Sequence, residues 1–370
     1  MQKNIIENIG KGKTVVVGMS GGVDSSVACW LLKQQGYDVI GLHMKGENSE
    51  TRDADEKRVV ELCKTIGVKC EIVDYADHMQ VVKDYFVEEY LSGRTPNPCV
   101  VCNREVKFKP FIEYAENFNA EFFATGHYAK ITHENNKHVL SVAKDENKDQ
   151  TYFLCKLTQT QLKKALFPLG SLTKQEVRKI AEENGLVSAE TKDSYDVCFL
   201  GSQKFKDFMN ENYPEKQGNI VDANSGKIVG KHSGISKYTL GQRKGLGIGG
   251  GHGESGDCWF VTRKDIKNNT LYVAQGSDDL LYSDALISNE VNWIPYVPEN
   301  NEFECKAKFR YRQMAQGVVV KIEDGKTIVT FKEKQRAITP GQYVVFYDDE
   351  NCLGGGTIDC VIKNGKILEL

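Results

Sequence analysis

The most constraining feature of this chain is a β-branched run that breaks into a glycine–serine loop and then into a helical pattern. Thr14-Val15-Val16-Val17-Gly18-Met19 is followed by Ser20-Gly21-Gly22-Val23-Asp24-Ser25-Ser26. The first run reads as a buried strand. Val23, Val27 and Leu31 then fall on one face of a helix that Gly36 stops. Paired glycines let the backbone turn its N–H groups toward an anion with no Cβ in the way. The serines add hydroxyl donors, and the helix presents the positive end of its dipole. A bare Gly-Gly is more often a tight turn, but the whole run GMSGGVDSSVA after a buried strand predicts a phosphate-binding loop. It is not a Walker A loop, because the Gly-Lys-Ser/Thr ending is missing.

The surrounding pattern fits a doubly covered parallel sheet. Across residues 14–130 short β-rich runs alternate with helical ones: strands over 38–44, 70–75 and 121–125, and helices over 53–66, 78–91 and 103–117. The prolines of RTPNPCVVC predict an irregular loop before the last of these helices. Thr173 and Glu176 form a capping box for a further helix ended by Gly185. After about residue 205 short strands punctuated by Gly, Asn and Asp take over, including an Asp324-Gly325 hairpin signal. The expected organisation is an α/β domain over 1–205, a small β-rich domain over 206–286, and a β-barrel or sandwich over 287–370.

Composition excludes several classes. No apolar run spans a bilayer, and the N-terminal MQKNIIENIGKGK has no secretory h-region, so a cytoplasmic protein is expected. The net charge of −3 gives no bulk attraction to nucleic acid, so an RNA substrate requires local basic clusters. Lys306, Lys308, Arg310 and Arg312 alternate as on one strand face. Eleven cysteines, an odd number in a chain with no export signal, are expected to be reduced. Cys29, Cys63, Cys155, Cys258, Cys305 and Cys360 sit among apolar residues and read as buried fillers. Cys99, Cys102 and Cys198 sit in polar segments and point to chemistry. Cys99 and Cys102 precede a helix bearing Arg104 and Lys107, an arrangement expected to stabilise a thiolate. Half of a zinc site, a redox pair, or a cluster on Cys99, Cys102 and Cys198 are the competing readings of the same thiols.

The glycine loop resembles that of enzymes cleaving ATP to AMP and pyrophosphate, a class that includes GMP synthetase and argininosuccinate synthase. With GLHMK at 41–45, the thiol segment at 93–108, ATGHYA at 124–129, NKDQTYFL at 147–154, KYTLGQRKGLGIGG at 237–250, FRYRQ at 309–313 and TPGQYVVFY at 339–347, the whole chain resembles the tRNA-specific 2-thiouridylase family. That resemblance implies a parallel-sheet ATP-binding (PP-loop) domain, a small central domain and a C-terminal barrel. It implies ATP and Mg2+ as cofactors, with Gly18, Met19, Ser20, Gly21, Gly22, Val23, Asp24, Ser25, Met44 and Gly126 around the nucleotide and Asp24 toward magnesium. Cys102 would be the nucleophile and Cys198 the persulfide carrier, closing a disulfide with Cys102 as sulfur leaves for the base. Asn97, Pro98 and Cys99 would meet the target base; His127, Lys148, Asp149, Gln150, Arg310, Tyr311 and Gln342 would contact the tRNA. The partners implied are the anticodon loop of a tRNA and a sulfur donor, either a cysteine desulfurase or a relay carrier. Position 99 departs from the family's common Asp: a thiol cannot act there as a low-pKa acceptor, and a third cysteine opens a [4Fe-4S] alternative. Another adenylating enzyme of the GMP synthetase type would need neither Cys102 nor Cys198, and a non-catalytic RNA-binding protein would need no intact loop.

Overall fold

The computed structural model describes residues 9–45, 52–74, 76–134, 136–186, 197–200, 203–248, 257–276 and 278–368. The segment after Lys45, the polar run at 191–196 and the glycines at 249–256 lie outside the described residues.

The first domain is built on β1 (Thr14–Gly18), β2 (Asp38–Lys45), β3 (Lys69–Asp74) and β4 (Phe122–Ala124). A hairpin, β5 (Lys130–Glu134) and β6 (Lys137–Ser141), leads toward β7 (Ala165–Leu166). Five of these strands form one parallel sheet in the order β3-β2-β1-β4-β7. The order reverses between β1 and β4, and the crevice beyond their carboxyl ends is where open α/β sheets bind ligands. Val15, Val16 and Val17 are fully buried. Val16 faces one core and Val15 and Val17 the other, as expected of a strand covered on both sides. The covering helices are α1 (Val23–Gln34), α2 (Arg52–Ile66), α3 (Ala76–Leu91), a helical stretch over 98–117, and α4 (Lys174–Glu183). The Thr173/Glu176 capping box forms in both directions.

Two expectations require correction here. Pro98 does not keep the thiol segment irregular: it opens the helix at a first-turn position, where its missing N–H removes no helical bond. Cys258, expected among buried fillers, is exposed.

The central sheet holds Trp259–Asp265, Thr270–Gln275, Gly218–Asp222 and Ile228–His232 in that spatial order. The last sheet has eleven strands among the described residues. Its strand Tyr282–Ser288 runs across the expected 286/287 boundary. The Asp324-Gly325 hairpin forms with both residues at positive φ, 50° and 74°, as a primed turn requires. β5 and β6, from the first domain, join this same sheet: Cys352 pairs with Leu140 and Asn351 with Ser141.

This pairing fuses two domains around one core. The cluster containing Val16, Leu42, Phe108 and Phe123 continues through Tyr152 and Leu154 into Tyr343, Val345, Tyr347 and Cys352 of the barrel. Tyr152, fully buried, donates from its hydroxyl to the Tyr343 carbonyl at 3.0 Å. Tyr152→Ala is expected to cost about 3–5 kcal/mol, and Tyr152→Phe about 1–3 kcal/mol through the unpaired carbonyl. Urea unfolding followed by far-ultraviolet dichroism should show the sheet domain and barrel shifting together; two transitions with only one displaced would mean separate cores.

Candidate functional site

The loop after β1 folds around its own serines. Ser25 Oγ accepts from the Ser20 N–H at 3.2 Å and donates to the Gly22 carbonyl at 3.1 Å, while Ser26 Oγ donates to that carbonyl at 2.8 Å. Gly21 sits at φ 77°, a left-handed turn that glycine adopts without strain. No side chain caps Gly22 at the start of α1. The positive end of the helix is therefore open to an anion. His43 is buried with Nδ1 2.8 Å from the Met19 carbonyl, so that nitrogen carries the proton and pins the loop to β2. Across the switch point, a Cβ on Gly126 would lie 2.8 Å from the backbone of Asp24 and Ser25. Only glycine lets the end of β4 approach the loop this closely.

Asp24 has partners that the sequence did not single out. Lys174 Nζ lies 2.7 and 2.8 Å from its two carboxylate oxygens, and the Tyr128 hydroxyl donates to Oδ1 at 2.8 Å. Gln150 holds Tyr128 in place through both backbone directions at 2.9 Å. A lysine at the first position of a helix opposes the helix dipole. That violation of a local rule was the available signal, and it was hidden behind the capping box.

The thiols lie at the other end of the crevice. Helix starts at Pro98, passes into a π-helical segment at Cys102–Phe108, and resumes at Lys109–Asn117. Cys99 is therefore in the first turn and Cys102 one turn inside, rather than both preceding the helix. Cys102 is 6 % exposed and packs in a small cluster with Val82 and Val106, against which Met44 and Phe199 lie. Phe199 also meets Phe86 edge-on at 5.2 Å. Its neighbour Cys198 starts a short 3-10 turn and is exposed, as is Cys99. The expected thiolate stabilisation is not what Cys99 experiences. Although Cys99 is exposed at the surface, the protein packed around its sulfur costs the thiolate hydration and pushes its pKa up to about 11; Lys107 pulls the other way, and the neighbouring Cys198 and Cys102 add to the rise. Arg104 is engaged with Glu105 at 3.0 Å.

The thiol helix is tied to the other two domains at its entrance. Gln342 donates to the carbonyls of Thr95 and Pro96 at 2.9 and 3.1 Å, and the Thr95 N–H donates to the Pro340 carbonyl. Arg94 pairs with Glu89 at 2.9 Å and Asp359 at 3.4 Å, and Thr95 Oγ1 bonds Thr239 of the central domain.

Of the residues expected at the RNA, His127 and Asp149 are turned inward. His127 is buried between Phe108 and Phe167, with Nδ1 2.7 Å from Thr125 Oγ1. Burial, with Lys107 nearby, holds its pKa well below the ordinary value. Asp149 is buried and accepts from the Thr151 hydroxyl at 2.6 Å and the Ala143 N–H at 3.0 Å. Lys148 is half-buried. Tyr311 stacks near Phe153 at 4.4 Å. Arg310 reaches the carbonyls of Leu240 and Ala337, both at 3.1 Å. The basic strand ends at Lys308, so Arg310 and Arg312 lie in the turn beyond it rather than alternating along a strand. There, Arg310, Arg312 and Arg336 line a cavity of about 250 Å³ between the barrel and Gly241.

A glycine loop with an open helix end at the switch point of the β3-β2-β1-β4-β7 sheet defines an adenine-nucleotide-binding domain of the PP-loop class. Family models match along the chain in order: the tRNA methyl transferase HUP domain over residues 13–202, the tRNA methyl transferase PRC-barrel domain over 206–275, and the aminomethyltransferase beta-barrel domain over 283–358. The tRNA-specific 2-thiouridylase MnmA of Bacillus cytotoxicus is 50% identical over 364 residues, covering 96% of this chain and 97% of that protein. The protein of the same name from Oceanobacillus iheyensis is 50% identical over 371 residues, covering 97% and 98%. The chain belongs to the tRNA-specific 2-thiouridylase family. The U34-tRNA thiolase NcsA from Methanococcus maripaludis, solved with its [4Fe-4S] cluster, aligns at a TM-score of 0.36 and 20% identity over 58% of this chain and 70% of that one. A likeness that distant carries no argument.

Two outcomes follow from this geometry. Lys174→Met leaves Asp24 uncompensated beside the loop, so ATP affinity measured by calorimetry should fall about tenfold, equivalent to about 1.4 kcal/mol, whereas Lys174→Arg should retain most of it; equal binding by both variants would exclude a role at the loop. His127 stays neutral in the fold, so below its unfolded value of about 6.5 the unfolded chain takes up a proton that the fold refuses. Stability must then fall with falling pH. Between pH 6.5 and 5 the wild type should lose up to about 2 kcal/mol more than His127→Gln in urea unfolding; parallel pH profiles would show that the imidazole titrates freely.

Proposed function

We propose that the chain replaces the 2-oxygen of the wobble uridine of a tRNA with sulfur, at the expense of ATP. The observation that carries the reading is the cluster in which Cys102 sits between Met44, beside the nucleotide crevice, and Phe199, the neighbour of Cys198. A nucleotide loop and two thiols then serve one reacting centre. The 1–205, 206–286 and 287–370 division assigns nucleotide and sulfur chemistry to the first part and RNA grip to the other two.

ATP would lie with its phosphates on the loop Gly18–Ser25 and its adenosine beside Met44 and Gly126. Asp24 is the one acid of that loop, and among the described residues no three His, Cys, Asp or Glu side chains are grouped to hold a metal. A magnesium ion would be held mainly by the nucleotide phosphates and would neutralise the pyrophosphate charge, with Asp24 joining as protein ligand once Lys174 yields a carboxylate oxygen. An iron–sulfur cluster would have Cys99, Cys102 and Cys198 as its thiol ligands, and the reaction below uses Cys102 and Cys198 without one.

The uridine 2-oxygen is a poor leaving group. Attack by that oxygen on the α-phosphorus expels pyrophosphate and makes it an adenylate. A persulfide on Cys198 is a strong nucleophile at neutral pH. Its outer sulfur attacks C2 and AMP departs with the oxygen. The Cys102 thiolate then attacks Cys198 Sγ: a Cys102–Cys198 bond forms, the bond between Cys198 and the transferred sulfur breaks, and that sulfur keeps the electron pair as the thiocarbonyl. The sulfur would arrive from a cysteine desulfurase or a carrier protein. Extruding a base from a single-stranded anticodon loop costs little, and the cavity of Arg310, Arg312 and Arg336 suits backbone phosphate. Among the described residues no helix is long and apolar enough to cross a membrane, in keeping with work in the cytoplasm. A GMP synthetase type of reaction leaves Cys102 and Cys198 unexplained.

Reduced protein incubated without oxygen with an unmodified tRNA transcript, ATP, magnesium and polysulfide should yield 2-thiouridine on digestion and mass spectrometry. Cys102→Ser and Cys198→Ser should each lower the yield at least a hundredfold. ATP cleavage with no thiouridine under any condition would make the acceptor something other than a tRNA uridine.

A further inference from the structure

The disulfide left by the reaction just described has one half, Cys102, 6 % exposed and enclosed by Val82, Val106, Met44 and Phe199. An external reductant reaches it only through the other half, Cys198, which is exposed and must be a free thiol again before it can take up sulfur. The chain carries a third thiol that this sequence of steps does not use. Cys99 is exposed, stands one helical turn before Cys102, and lies close enough to both Cys102 and Cys198 for each to act on it electrostatically.

We propose that Cys99 is the resolving thiol of the catalytic cycle, taking over the disulfide from Cys198 and presenting it to solvent. The inference rests on the thiolation reading above. Cys99, its proton released to solvent, attacks Sγ of Cys102 in the Cys102–Cys198 disulfide. The Cys99–Cys102 bond forms and the Cys102–Cys198 bond breaks. The electron pair leaves on Cys198 as its thiolate, so nothing is oxidised or reduced overall. Cys198 is then ready for the next sulfur. A dithiol, protein or small molecule, afterwards reduces Cys99–Cys102 and is itself oxidised to its disulfide.

The geometry accommodates this exchange. Residues three apart on a helix have Cβ atoms about 5–6 Å apart, and a disulfide requires roughly 3.5–4.5 Å. The closure of about 1–2 Å falls in the first turn of the helix, where the Asn97 side chain makes no capping bond. This gives a thiol a function at a position where the family commonly has an aspartate.

Two measurements separate this proposal from the thiolation reading. Full-length protein equilibrated in a glutathione redox buffer without tRNA, acid-quenched, alkylated and mapped by peptide mass spectrometry should carry predominantly Cys99–Cys102. Predominant Cys102–Cys198 would overturn the proposal whatever the protein does to RNA. The enzyme should then be charged with polysulfide, stripped of excess, and given tRNA, ATP and magnesium. After one turnover the wild type should hold Cys99–Cys102, whereas Cys99→Ser and Cys99→Ala should hold Cys102–Cys198. With dithiothreitol and polysulfide resupplied, both variants should show a steady rate at least tenfold lower, relative to their own first-turnover amplitude, than the wild type. Steady rates in proportion to those amplitudes would overturn the proposal. Formation of Cys99–Cys102 in the redox buffer, with no thiouridine from the wild type, would instead remove the thiolation reading and leave the thiol pair as a redox device of another reaction.

Discussion

The placement of both helix thiols depends on how the backbone at Thr95 and Pro96 is held. The Gln342 amide and the Pro340 carbonyl bind it from the barrel, and the Thr95 hydroxyl donates to Thr239 Oγ1 of the central domain. Those bonds satisfy backbone groups of a short connector that has no ladder of its own. They also fix the direction in which Pro98 launches the helix bearing Cys99 and Cys102. Gln342 was expected at the RNA; in the structure its amide secures the entrance to the thiol helix.

The nucleotide end is organised by a different economy of charge. An open helix end and a carboxylate sit side by side, and Lys174 with the Tyr128 hydroxyl offsets the carboxylate. The loop is thus internally balanced while no side chain caps the start of α1. The shared core from Val16 to Tyr347 packs the sheet that carries the crevice directly against the barrel, so the same buried side chains position both.

How much of this could be read from residues alone depended on the range of the interaction. β1, the glycine loop, the Thr173 capping box and the Asp324-Gly325 hairpin are decided within a few residues, and each appears where the pattern put it. Pro98 was misjudged because proline ends helices from inside but begins them at the first turn, and only the structure shows which position it holds. The pairing of β6 with a strand more than two hundred residues later leaves no local trace. The thiol environment was misread for a related reason: nearby cations are visible in the sequence, whereas lost hydration depends on what packs around the sulfur. Lys174 and Tyr128 were legible only as a breach of helix-end preference and an unremarked tyrosine beside Gly126.

The π-helical segment from Cys102 to Phe108 makes chain length itself a determinant of the site. A π turn takes one residue more than an α turn. The first-turn face with Cys99 and the later face with Phe111 and Ala115 are therefore out of the phase that a uniform helix would impose. Removing one residue anywhere in this stretch would let it relax to ordinary α geometry and rotate everything before it. Pro98 and its thiols would then no longer meet the clasp at Thr95, although no functional side chain had been changed. Substitutions that keep the count leave the register intact, and a single deletion does not.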